Sequence, residues 1–80
     1  MTLNAKSLGL AGGILWGVGL LILTLISVWT GYGAAFLNGV ASIYPGYSIG
    51  YLGAVIGLVY GFVDAFIGLF VLAWLYNKLE

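Results

Sequence analysis

An all-α membrane fold, two transmembrane helices turned back on each other as a hairpin, is what this sequence predicts. Three observations carry that expectation. Two apolar runs are each long enough to cross a bilayer, charge is almost absent, and glycine recurs every fourth residue in both runs. Hydrophobic residues make up 64% of the eighty and charged residues 5%, whereas a soluble domain carries roughly a quarter charged residues. A soluble chain this short would also struggle to fill a core.

The first run, Leu8 to Trp29, holds no charge. At about 22 residues it spans a hydrocarbon core of roughly 30 Å, and it is too long for the apolar core of a signal peptide. The second, Tyr51 to Tyr76, holds one charge, Asp64. Inside lipid the backbone must satisfy its own hydrogen bonds, and neither run alternates polar with apolar residues, so both are expected as helices (8–29 and 51–76) within one membrane domain, 1–80. Lys6 precedes the first helix, Lys78 follows the second, and residues 30–50 carry no charge. The positive-inside tendency then places both termini on the cytoplasmic side of the cell membrane.

The connection, 30–50, is uncharged and rich in aromatic residues. Residues 34–43 are expected as a short helix lying in the headgroup region, followed by a Tyr44-Pro45-Gly46-Tyr47 turn in which Pro fixes φ and Gly allows a positive one. Trp29, Tyr32, Tyr44, Tyr47 and Tyr51 on one side, with Trp74 and Tyr76 on the other, are expected as interface anchors.

Gly9, Gly13 and Gly17 repeat every four residues in the first helix, and Gly53, Gly57 and Gly61 do so in the second. At 100° per residue, Gly50, Gly53, Gly57, Gly61 and Gly68 fall within an arc of roughly 80°, with Leu52, Val55, Val59, Phe62, Phe66, Leu69 and Phe70 on the opposite, lipid-facing side. Bare strips let backbones approach, so that dispersion replaces the hydrophobic drive that lipid removes. A hairpin has a single internal helix–helix contact, so the surplus glycine is expected to face other copies, giving a homo-oligomer. The alternative spends both strips inside one hairpin.

Asp64 lies mid-span within that glycine arc, with Tyr60 one turn earlier. An ionised carboxylate there costs at least about 2.5–3.5 kcal/mol, and no basic residue reaches it, so a dry Asp64 is expected to be protonated. An antiparallel hairpin sets it level with Trp16 to Gly19. The donor-only indole of Trp16 makes a Trp16–Asp64 bond the simplest pairing, and Thr24 and Ser27 share the same face nearer the outer end. Either the acid clamps a packed interface, or a ring of such acids binds a proton or monovalent cation. No cofactor or metal is expected: with no His and no Cys the usual ligand and nucleophile–base sets are missing, and an enzyme is not expected. Two basic residues give no footprint for nucleic acid.

The segments Leu3-Asn4-Ala5-Lys6, Gly12-Gly13-Ile14-Leu15-Trp16-Gly17, Tyr44-Pro45-Gly46-Tyr47, Gly57 through Gly68 and Ala73-Trp74-Leu75-Tyr76-Asn77 resemble a family of small two-span prokaryotic membrane proteins often labelled bacteriophage holins. The resemblance implies pore formation in the cytoplasmic membrane. The charged tail common in well-studied holins is reduced here to Asn77 to Glu80. The chain also resembles, by analogy, the rotor-ring c subunit of ATP synthases: a glycine-rich hairpin with a carboxylate in its second helix, where Val63-Asp64-Ala65 sits. That subunit's Arg-Gln-Pro loop is absent here. A small subunit packed into a larger membrane complex is the remaining reading.

Overall fold

The computed structural model describes residues 2–80 and, among them, contains three helices and no strand: α1 (Ala5–Thr30), α2 (Ala34–Ile43) and α3 (Tyr51–Leu79). Both long helices extend past the expected limits, α1 by three residues at its start and α3 by three at its end. Asn4 explains the first extension: its side-chain oxygen accepts the Ser7 N–H at 3.0 Å, capping α1 where the apolar run has not yet begun. Gly31 ends α1 in the left-handed conformation (φ 76°), its N–H returning to the Ser27 carbonyl at 2.8 Å. The Tyr44–Tyr47 turn forms with Gly46 at φ 85° and the Tyr47 N–H on the Tyr44 carbonyl.

The two long helices run antiparallel in close contact. A Cβ added to Gly17 would lie 2.8 Å from the Leu58 carbonyl oxygen, and one on Gly13 would lie 2.9 Å from that of Phe62. A Cβ on Gly61 would meet the Cα of Gly17 at 3.1 Å. The backbones therefore touch where side chains are missing, and any larger residue would push them apart.

The arrangement corrects the expected lipid face of α3. The rings of Phe62 and Phe66 lie over Gly13 and Gly9 of α1, and Leu69 over Gly12. Phe62, Phe66 and Phe70 stand one above the next with centroids 6.0 Å apart. The bare strip of α1 accommodates rings of α3, while the glycines of α3 accommodate Leu20, Trp16 and Tyr47. The contact is a bare strip on each helix facing bulk on the other, not glycine against glycine along its length.

Gly50 and Gly68, expected among the packing positions, have nothing within 4 Å of an added Cβ. The other six packing glycines are spent inside this one chain, so they no longer argue for a second copy.

The connection departs most from expectation. The molecule measures 45 × 19 × 17 Å, and the 29 residues of α3 alone account for about 43 Å at 1.5 Å each. Residues 31–50 thus add almost nothing to its length. They fold back beside the hairpin instead of lying across its end. An added Cβ on Gly33 would meet Leu23 at 3.1 Å, Phe36 meets Trp16 edge-on at 6.3 Å, and Leu37, Val40, Tyr44 and Tyr47 form a buried cluster with Leu20. The turn is therefore level with Gly57 to Tyr60, roughly 10 Å along α3 from its first residue.

At the other end the termini are clasped. The Asn77 carboxamide donates to the Leu3 carbonyl and accepts the Leu3 N–H, both at 2.8 Å.

The geometry makes a paired prediction. Gly17→Ala should destabilise the hairpin by about 1–3 kcal/mol, because its methyl group meets a backbone carbonyl. Gly19→Ala, with open space around it, should be neutral or stabilising by up to about 1 kcal/mol. Equilibrium unfolding in mixed micelles, followed by circular dichroism, reads both.

Candidate functional site

Of the polar side chains expected around Asp64, Trp16 meets it at mid-length through a residue expected elsewhere, while Thr24 and Ser27 do not join them. The indole N–H of Trp16 donates to the Tyr44 hydroxyl at 3.1 Å, and that hydroxyl donates to Oδ2 of Asp64 at 2.6 Å. Because an indole only donates, the Tyr44 oxygen serves it as acceptor and the single phenolic proton goes to the carboxyl group. The expected Trp16–Asp64 pairing is thus relayed by Tyr44. Each residue comes from a different part of the chain: α1, the turn after α2, and the middle of α3.

Tyr44 is held by more than these bonds. Its ring stacks on Tyr60 with centroids 5.1 Å apart and planes 12° from parallel. The Pro45-Gly46 turn sets the direction from which it enters. It is only 8% exposed, so it is a buried member of the site and not an anchor at the membrane boundary.

Tyr47 is corrected in the same way. Its ring covers Gly57, its hydroxyl shares a 2.6 Å bond with that of Thr24, and it is 5% exposed. Here a bare position on α3 and a hydroxyl on α1 together make the pocket for one tyrosine. Ser27, one turn beyond Thr24, is buried, and its hydroxyl has no partner among the described residues.

Asp64 itself faces outward. Its side chain is on the exposed surface of the chain, among the exposed Tyr60, Val63 and Ile67. Among the described residues no ion pair involves it, and both lysines sit at the terminal end. Lys78 there lies over the Trp74 ring at 5.5 Å. Among the described residues no cluster of three or more His, Cys, Asp or Glu side chains occurs. Trp29, Tyr32 and Tyr51, expected as interface anchors, are exposed at the connection end, and Trp74 and Tyr76 at the terminal end.

The relay from Trp16 to Asp64 was partly visible beforehand. The spacing of Trp16, Tyr60 and Asp64 on their helices pointed to a shared level. Tyr44 escaped because its position depends on the connection folding inward. The signal for that was the absence of charge from residues 30–50, which permits burial.

Comparison of the chain with family models, with curated proteins and with solved structures gives no match.

Removing the Tyr44 hydroxyl isolates the relay. Tyr44→Phe keeps the ring stack but leaves the Trp16 N–H and Asp64 without their shared partner. It should cost about 1–2 kcal/mol in the same unfolding measurement. Tyr47→Phe should cost less, since it releases one partner, the Thr24 hydroxyl, where Tyr44→Phe releases two.

Proposed function

We propose that the protein is a small integral membrane protein of holin-like class that assembles with copies of itself, with Asp64 at the contact between copies. The observation that carries this reading is the position of Asp64: an acid on the outer surface of the chain, halfway along an apolar helix. Left against acyl chains it costs at least about 2.5–3.5 kcal/mol. A neighbouring hairpin that covers it removes that cost.

The membrane setting is supported by what the chain leaves bare. Only 28% of the most apolar stretch of α1 and 11% of that of α3 are buried, whereas the core helix of a soluble protein would be mostly covered. Exposed aromatic residues stand at both ends of this surface, and from Tyr51 to Trp74 α3 covers roughly 35 Å, the thickness of a hydrocarbon core and its boundaries. The Leu3–Asn77 clasp holds both termini at one end, together with Lys6 and Lys78, and the positive-inside tendency puts that end in the cytoplasm. Holin-like pore formation adds to this the family resemblance of the sequence.

A second reading, a proton- or cation-binding ring, draws on the Trp16–Tyr44–Asp64 chain, which delivers a hydroxyl proton to an outward-facing carboxylate. Native mass measurement in lipid nanodiscs, with ion flux from reconstituted vesicles, separates the two. Self-assembly predicts species larger than a monomer and measurable flux; a strictly monomeric protein in lipid ends the proposal. Asp64→Asn keeps a polar partner for Tyr44. If it assembles and conducts like the original chain, the ion-binding ring is removed. Copurification with unrelated chains in fixed ratio points instead to a packing subunit.

A further inference from the structure

The folded-back connection presents polar groups at a depth where lipid offers them nothing. The Asn38 side chain, exposed on the outer face of α2, has no hydrogen bond among the described residues. Gly39 and Ser42 share that face, Ser42 turning its hydroxyl onto the Gly39 carbonyl. Inward, the same helix buries Leu37 and Val40. The outer face of α2 thus carries Asn38 and Ser42 beside the exposed Phe36 and Ile43, a mixed surface and not the wholly apolar one that acyl chains favour.

The backbone after α2 agrees. Pro45 has no N–H to return to the Ala41 carbonyl, so the last turn of α2 cannot close there. Among the described residues the N–H groups of Gly46, Ser48, Ile49 and Gly50 take no hydrogen-bond partner, and no side chain caps the start of α3. Gly46 belongs to the turn level with Gly57 to Tyr60, well inside the length of the hairpin. Non-helical backbone at membrane depth persists only where protein buries it or where it borders water. Residues 46 and 48 are exposed on the chain, so within one copy water is the partner left to them.

We propose that α2 and residues 44–50 border a water-filled inlet that descends from the connection end of the hairpin to Asp64. The inlet stops there. The exposed side chains of α3 are mostly apolar on both sides of Asp64, but beyond it towards the termini no folded-back segment among the described residues lies beside them. The occupant is water, and what it carries to the carboxylate is a proton: among the described residues the one side-chain oxygen bonded to Asp64 is the Tyr44 hydroxyl, which is already engaged with Trp16, too few protein ligands for a metal cation. The inference rests on the membrane reading above and on its second form, the proton-binding Asp64: where water reaches the carboxylate, a neighbouring copy is no longer needed to cover it.

The chain has no cysteine, so single-cysteine variants each carry one label. Asn38→Cys, Ser48→Cys, Leu15→Cys and Val71→Cys, all exposed on the chain, are reconstituted in vesicles. They are treated with a membrane-impermeant, thiolate-specific reagent loaded on both sides by freeze–thaw. A thiol in lipid stays protonated and unreactive. Asn38→Cys and Ser48→Cys should therefore react at least about tenfold faster than Leu15→Cys and Val71→Cys, with all four reacting alike after denaturation in detergent. If all four are silent in vesicles, the inlet is overturned and the membrane reading stands. If Leu15→Cys and Val71→Cys react as fast as the others, the membrane reading itself fails and the inlet with it.

Discussion

The structure depends on backbone touching backbone between α1 and α3. Where Gly13 and Gly17 face the Phe62 and Leu58 carbonyls, and Gly61 faces Gly17, the separation is set by peptide groups instead of side chains. In an apolar solvent such contact is among the few available sources of cohesion, because dispersion grows steeply as atoms come within van der Waals range. The same closeness brings Trp16 near enough to α3 to share a partner with Asp64. It also creates the shallow places into which Phe62, Phe66 and Tyr47 fit. Bulk on one helix and bareness on the other are two halves of one arrangement.

Two tyrosines convert the hairpin into a three-layered object. Each sends an apolar ring against α3 and a hydroxyl to a polar group that would otherwise be orphaned: Tyr44 onto Tyr60 with Trp16 and Asp64, Tyr47 onto Gly57 with Thr24. Tyrosine suits the task because it combines large contact area with a single polar tip. The connection is thereby fixed by the same residues that satisfy the interior, and the packing and the polar site cannot be altered independently.

The all-helical class and the two long helices were readable from run length and hydropathy, because the demand that backbone satisfy itself is written in composition. The bare strips were readable from spacing. What spacing could not say is what fills a bare strip, since a four-residue repeat is equally consistent with glycine, phenylalanine or another copy opposite. The angular plot of α3 put Phe62 and Phe66 opposite the glycines and so toward lipid; in fact the contact with α1 is broad enough to reach them. The fold-back of residues 31–50 was hidden for a different reason. An uncharged aromatic stretch satisfies both an interface and an interior, and only the partners of Tyr44 and Tyr47, distant in sequence, decide between them. Asn77 likewise gave no local sign that its amide would find Leu3.

That last contact bears on how the hairpin can move. A side-chain amide that binds both polar groups of one distant residue has the geometry of a single rung of a sheet, and it tolerates little axial displacement. Sliding of one long helix past the other, in the manner of a piston, would break both bonds at once and drag phenyl rings across peptide groups. Rotation and splaying at the opposite end meet no such obstacle. Conformational freedom in this molecule is therefore hinged: pinned where the chain begins and ends, and concentrated where its middle is folded in.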